Sequence, residues 1–258
     1  MPTWKLVVEY KGTRYRGWQE QANAPTVQGE MHKAAEAVLG HRAEIVGAGR
    51  TDAGVHALNQ VAHLKIPEPV PPGLLIHRLN DHLPADINLK DISLAQPHFH
   101  ARHDAIERYY LYQIATRRTA FAKPFVWWVK DRLDLVAMRA AMGCLIGRHD
   151  FSSFREQGKE QASPIVEVGR CELQPHGDLI LFRIGASHYL WKMVRRLVGV
   201  LVEVGRGKLD PSDMARFLTT PSDEIAAWTA PPSGLFLEHV RYPDDPPPPA
   251  IAPAFFFR

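Results

Sequence analysis

Trp4-Lys5-Leu6-Val7-Val8-Glu9-Tyr10 is the stretch whose reading decides the fold. Trp4, Leu6, Val8 and Tyr10 alternate with Lys5, Val7 and Glu9, the period-two pattern of a strand with one face buried. Beyond it the period changes. Pro25 and Thr26 open a helix whose apolar positions Val27, Met31, Ala34, Ala35, Val38 and Leu39 keep helical spacing and stop at Gly40. Ala43 to Val46 and Asn59 to Ile66 read as strands, Leu74 to Asn80 as a short helix, and Ile87 to Ala95 as a further strand. The order is β-α-β-β-α-β, the ferredoxin-like unit in which two helices cover one face of an antiparallel sheet.

Between the second and third strands of that unit lies Gly47-Ala48-Gly49-Arg50-Thr51-Asp52-Ala53-Gly54-Val55-His56-Ala57. Three glycines let the backbone turn sharply and approach a ligand closely. Asp52 sits among them beside Arg50, whose guanidinium favours an ionised carboxylate and suits it to act as nucleophile or base. The spacing excludes two phosphate loops. A dinucleotide fingerprint needs a third glycine where Asp52 stands, and a P-loop needs Lys and a hydroxyl residue where Val55 and His56 follow Gly54. The bland alternative is a tight surface turn with a solvated aspartate. Upstream, Lys11 to Gln19 interleaves Arg14 and Arg16 with Tyr15 and Trp18. That mixture suits RNA, whose phosphates meet the bases and whose unpaired nucleobases stack on aromatic rings; a solvated loop with Trp18 anchored in the core fits equally well.

The pattern then starts again. Arg108, Tyr110, Tyr112 and Ile114 alternate with Tyr109, Leu111 and Gln113, so one face carries an arginine and two tyrosines, either a stacking platform for bases or ordinary core and rim packing. Arg117, Arg118 and Lys123 form a basic loop, and Asp134 caps a helix that runs through Ile146. His149 to Arg155 is a polar loop with two Phe anchors, before strands Ile165 to Leu173 and Leu179 to Ile184. A long helix is expected from Tyr189 to about Val204, another after Asp210-Pro211, and a closing strand from Leu235 to Tyr242. Apart from the extra helix, the element order repeats. The chain is therefore read as α+β: two ferredoxin-like subdomains, 1–104 and 105–243, with their sheets joined into one antiparallel sheet and an active-site cleft between them. Lys192, Arg195 and Arg196 bunch at one end of the long helix, either solvated or with Arg195 aimed into the cleft at Asp52 or a phosphate. The proline-rich tail, 244–258, has a composition expected to resist packing and stay mobile, with no evident place for Phe255 to Phe257.

Composition narrows the classes. At 258 residues, 45% hydrophobic and 23% charged, the chain is an ordinary globular protein long enough for one large or two ordinary domains. The balance of 31 Lys+Arg to 28 Asp+Glu permits an anionic partner without demanding one. No signal peptide or membrane-spanning run is seen, and Cys144 and Cys171 suggest neither a zinc site nor a disulfide framework, so a reducing cytoplasm is the expected setting. The run His98-Phe99-His100-Ala101-Arg102-His103 invites a metal, but no Cys or His pair with structural spacing accompanies it; solvated or RNA-facing histidines in a connector are expected, with no metal.

The chain resembles the tRNA pseudouridine synthase A family. Gly49-Arg50-Thr51-Asp52-Ala53-Gly54-Val55-His56-Ala57 is similar to its catalytic signature, with supporting segments at Gly17-Trp18-Gln19, Arg108 to Tyr112, His149-Asp150-Phe151, Met193-Val194-Arg195 and Gly234-Leu235. The resemblance implies that Asp52 is the catalytic aspartate, Tyr110 the aromatic that stacks on the target uracil, Arg195 the base paired with the aspartate, and Arg50 a helper in opening the stem and holding the flipped nucleotide. Arg14, Arg16, Trp18, Lys192 and Arg196 are candidate tRNA contacts. It also implies isomerisation of uridines at tRNA positions 38 to 40 in the anticodon stem-loop, without metal or cofactor, by a homodimer. A non-catalytic pair of RNA-binding modules would account for the fold, bases and aromatics but leaves the Arg-Thr-Asp loop unexplained. A metal-dependent nuclease or deaminase would need a carboxylate cluster or zinc set that the histidines alone do not supply.

Overall fold

The computed structural model describes residues 2–67, 70–158 and 163–254. The chain divides into two units, Met1–Arg108 with Phe236–Pro248, and Tyr109–Leu235 with Pro249–Arg258.

In the first unit, β1 (Thr3–Tyr10), α1 (Val27–Leu39), β2 (Glu44–Gly47), β3 (His56–Lys65), α2 (Pro72–His82) and β4 (Ile87–Leu94) follow the expected order. β1 lies between β3 and β4 and is antiparallel to both, with Leu6 opposite Ala62 on one side and Ile92 on the other. β2 runs antiparallel to the far end of β3, from Glu44 opposite Lys65 to Gly47 opposite Ala62. The order β4-β1-β3-β2 is that of the ferredoxin-like unit, as read from the sequence. Leu6, Ile45 and Leu64 of the sheet meet Met31 and Ala35 of α1 and Leu79 of α2 around one small apolar cavity, which places both helices on the same face. Local chemistry sets the ends of α1. Thr26 Oγ1 accepts the Gly29 N–H at 3.2 Å, and Gly40, at φ 77°, closes the helix in the left-handed region.

The second unit holds β5 (Glu107–Ala115) from Tyr109 onward, β6 (Trp127–Trp128), α3 (Leu135–Met142), β7 (Gly147–Asp150), β8 (Ile165–His176), β9 (Leu179–Ala186), α4 (Met193–Gly205) and α5 (Asp213–Thr219). Its strands are ordered β5-β9-β8-β7, with β6 beside β5 in parallel. The mixed α+β class holds. Three details differ from the sequence reading. β7, whose His149 and Asp150 begin the expected polar loop, pairs antiparallel with β8 from Gly147 opposite Val168 to Asp150 opposite Ile165, an edge pairing that a glycine and three polar residues do not announce. The helix expected to reach Ile146 stops at Met142 to release that strand. The long helix starts at Met193, not Tyr189, because Lys192 holds φ 62° and breaks the helical path. The closing strand β10 (Leu235–Arg241) pairs in parallel with β3, Phe236 opposite His56, and from Phe236 it is grouped with the first unit.

The tail expected to be mobile is docked over its last described residues, Pro249 to Ala254. Arg183 Nη1 donates to the Pro249 carbonyl at 2.8 Å, the Ala254 N–H donates to Gln113 Oε1 at 2.7 Å, and Ile251 is buried. Phe255 to Phe257 lie outside the described residues. Among the described residues no helix is long and apolar enough to cross a membrane.

The histidine run forms turns in the connector between β4 and β5. His63 Nδ1 on β3 accepts the Ala101 N–H at 3.1 Å, and His100 Nδ1 accepts the Arg102 and His103 N–H groups at 3.2 Å each. Among the described residues no group of three or more His, Cys, Asp or Glu side chains could hold a metal. An Nδ1 that accepts must be unprotonated. Burial lowers the pKa of both rings below the ordinary histidine value, with His103 adding to the effect at His100 and Glu44 opposing it at His63. The unfolded chain then binds more protons than the folded one below the ordinary histidine range, so this contribution to stability is present above that range and is lost as pH falls through it. Thermal melts at pH 7 and pH 5 should show a smaller acid loss for His63→Asn, whose amide oxygen can accept the same N–H without titrating; an equal loss in the variant would exclude His63 as a source.

Candidate active site

Asp52 is half-buried on a turn closed by the Val55 N–H donating to the Asp52 carbonyl at 3.1 Å. The turn is braced from the loop that follows β1. The Trp18 N–H donates to the Thr51 carbonyl at 3.1 Å, the Gly54 N–H donates to the Tyr15 carbonyl at 3.2 Å, and the Gly12 N–H donates to His56 Nδ1 at 3.0 Å. Tyr10 Oη and Thr51 Oγ1 share a further hydrogen bond of 2.8 Å, and burial raises the Tyr10 phenol above its ordinary range. The glycines have separate tasks. Gly17, at φ 97°, lies so close that a Cβ there would sit 2.4 Å from the Thr51 carbonyl oxygen, and Gly54, at φ 78°, takes the left-handed turn position. Gly47 leaves room for the Trp18 ring.

Trp18 is 1% exposed, so of the two sequence readings of its loop the anchored one describes this side chain. Arg14 Nε pairs with Asp86 Oδ2 at 2.7 Å, and Tyr15, its phenol raised to about 12 chiefly by burial, donates to the same carboxylate at 2.6 Å. Arg16 is exposed. Arg50 is exposed too, and its Nε donates to Gln19 Oε1 at 2.9 Å. The first unit thus gathers Asp52, Arg50 and the Trp18 loop.

Arg108 is the residue that pattern reading placed on a stacking face and the structure places elsewhere. It is buried; its Nη1 donates to the Ala105 carbonyl at 2.8 Å and its Nη2 to the Ala48 carbonyl at 3.1 Å, with Arg102 O a further acceptor. One guanidinium therefore ties the start of the Asp52 loop to the connector leading into β5. Gln60 Nε2 adds a bond of 2.7 Å to the Gly49 carbonyl. The tie from Arg108 to Ala48 has no sequence signal, because it joins residues 60 positions apart.

In the second unit Tyr110 is 7% exposed and meets Tyr189 edge to face at 4.8 Å. Tyr112 lies in the core, its hydroxyl donating to the Pro231 carbonyl at 2.8 Å. Arg195 is half-buried; its Nε donates to the Ala230 carbonyl at 2.7 Å, and the Ala230 N–H returns to the Arg195 carbonyl at 3.1 Å. Burial raises the Tyr112 phenol well above its usual value, and the Arg195 charge opposes that shift. The three bases of this helix end are not alike. Arg196 is buried against Glu156 and the Arg155 carbonyl, while Lys192 Nζ is 3.4 Å from Glu156 Oε1. Solvation, the bland reading of these three bases, does not describe Arg196.

Arg108→Met leaves carbonyls of Ala48, Ala105 and Arg102 without these donors, each loss costing about 1–3 kcal/mol. Urea unfolding should report a loss of at least about 3 kcal/mol in all, and a change within error would remove Arg108 as the tie.

A family model described as tRNA pseudouridine synthase matches residues 6–104 and 141–243. The tRNA pseudouridine synthase A of Rhodopseudomonas palustris (strain BisA53) is 43% identical over 245 residues, covering 94% of this chain and 100% of that protein. The protein of the same name from Sinorhizobium fredii (strain NBRC 101917 / NGR234) is 40% identical over 247 residues, 94% of this chain and 100% of its own. That from Agrobacterium fabrum (strain C58 / ATCC 33970) is 38% identical over 253 residues, 96% of this chain and 95% of its own. Similarity of that reach, carried through both units, makes this chain a member of the tRNA pseudouridine synthase family.

Proposed function

We propose that this chain isomerises uridine to pseudouridine at positions 38, 39 and 40 of the tRNA anticodon stem-loop, with Asp52 as nucleophile or base. The observation that carries the assignment is the turn around Asp52: a half-buried carboxylate held on a backbone tied down on both sides, inside the segment that the family model matches. The reaction needs such a group. An N-glycosidic bond breaks, the uracil turns while held, and a carbon–carbon bond forms at the same ribose carbon, with no net oxidation. A fixed carboxylate can attack the ribose or the base, or take a ribose proton. Geometry fixed before the reaction lowers the entropic part of the barrier.

A uridine in a stem must leave it, at a cost of a few kcal/mol that stacking and phosphate contacts offset. Tyr110 is assigned to stack on the uracil, Arg195 to pair with the Asp52 carboxylate, and Arg50, exposed beside the turn, to hold the displaced nucleotide. Arg14, Arg16 and Lys192 are assigned to phosphates. Trp18 and Arg196, both buried, serve from inside the fold, the first through its N–H to Thr51 and the second through Glu156. The working protein is taken to be a cytoplasmic homodimer, and no metal or cofactor enters the chemistry.

Asp52→Ala should abolish pseudouridine formation on unmodified tRNA while tRNA binding, followed by filter retention, changes less than about threefold; conversion at the wild-type rate would sink the assignment, and binding without conversion by the wild-type protein would make it a binding module. Exhaustive treatment with a chelator should leave the rate unchanged. Activity lost on chelation and restored by one divalent ion would require a metal step.

A further inference from the structure

Arg183 and Gln113 lie on neighbouring strands of the second unit, and both are fully buried. On β9, Arg183 shares a face with Leu181 and Gly185, and the Tyr109 ring packs so closely on Gly185 that a Cβ there would lie 2.3 Å from it. Tyr109, and with it Leu111 and Gln113 at two-residue steps along β5, therefore belong to that same face. Arg183 Nη1 is 3.4 Å from Glu172 Oε2, donates to the Pro249 carbonyl at 2.8 Å, and its Nη2 reaches the Ala250 carbonyl at 3.5 Å. Gln113 Nε2 donates to the Phe125 carbonyl at 2.9 Å, an orientation that turns Oε1 toward the Ala254 N–H. Between these two anchors Ile251 and Pro253, two residues apart, are buried, the alternation of an extended segment.

We propose that this face, built around Arg183 and Gln113, is a binding site for an extended, proline-containing peptide, and that the chain's own Pro249–Ala254 is the ligand it holds. The site reads backbone. A buried cation takes two successive carbonyls, an amide oxygen takes an N–H five residues after the first, and the buried Ile251 and Pro253 lie between them. Proline suits such a ligand, because a chain already restricted to an extended path loses little entropy on docking. A guanidinium in a dry interior needs acceptors, and here the tail supplies two of them. The tail is also separable from the family fold. The family model ends at residue 243, and 94% of this chain suffices to cover the whole of the Rhodopseudomonas and Sinorhizobium proteins.

The test uses the full-length chain. In the wild type the Ala254 amide should exchange with deuterium at least about tenfold more slowly than in an unstructured peptide. Ile251→Asp, a change in the tail alone, should bring it to the unstructured rate with the far-ultraviolet circular dichroism unchanged. The vacated site of that variant should then bind a labelled synthetic peptide, Pro-Pro-Pro-Pro-Ala-Ile-Ala-Pro-Ala, saturably at up to millimolar concentration, the usual range of an effective intramolecular concentration. Adding Arg183→Met should weaken that binding at least about tenfold. Unprotected exchange in the wild type, absence of saturable binding to the vacated site, or equal binding after Arg183→Met would each overturn the proposal. If Arg183→Met unfolds the chain, Gln113→Leu, which removes the other anchor, replaces it with the same expected direction.

Discussion

The approach of Gly17 to the Thr51 carbonyl is the contact on which the rest of the candidate site depends. At that separation no side chain fits, so the loop after β1 and the turn bearing Asp52 lie backbone to backbone, joined by the Trp18 N–H and answered from the other side by the Gly54 N–H. Two loops that would each be free alone hold one another. The strand pairing makes the meeting inevitable. β1 and β3 are antiparallel neighbours, with Tyr10 opposite Ala57, so the segment leaving β1 and the segment entering β3 emerge at the same end of the sheet.

Buried polar groups extend that order outward. Arg108 gathers carbonyls from Ala48, Ala105 and Arg102, and the ring nitrogens of His63 and His100 take the N–H groups of the connector between them. Each is a side chain satisfying main-chain groups that lie outside the helices and strands. The histidine run and the alternating Arg108 strand thus owe part of their composition to holding the backbone. For the histidines a metal role, and for Arg108 itself a stacking role, fit these observed contacts less well. The same rule operates in the second unit, where Arg183 and Gln113 do for the tail what Arg108 does for the loop.

Local sequence carried most of the architecture. The period-two run from Trp4, the helical run after Thr26 with its cap and its terminal Gly40, and the turn chemistry at Gly54 each have a cause within a few residues, and each lies close to where it was expected. The Asp52 loop was legible for the same reason: an acid among glycines, with Arg50 two residues away, is a local pattern, and so was its resemblance to a catalytic signature. β7 was not legible, since an edge strand of a glycine and three polar residues exists only because β8 offers it partners. Nor was the start of α4, where Lys192 departs from the helical path that apolar spacing alone predicts.

The sequence by itself determined the element order of the first unit, the α+β class, and the choice of Asp52 as the group to build a reaction around. Tertiary structure alone decided that Trp18 is an anchor, that Arg196 is spent on Glu156, that Arg108 ties the loop down, and that a tail of prolines is docked. The physical reason is range. Periodicity, caps and turns are set by neighbours along the chain, whereas the partner of a buried arginine or the burial of a tryptophan is set by residues tens of positions away, which only the folded chain brings within reach.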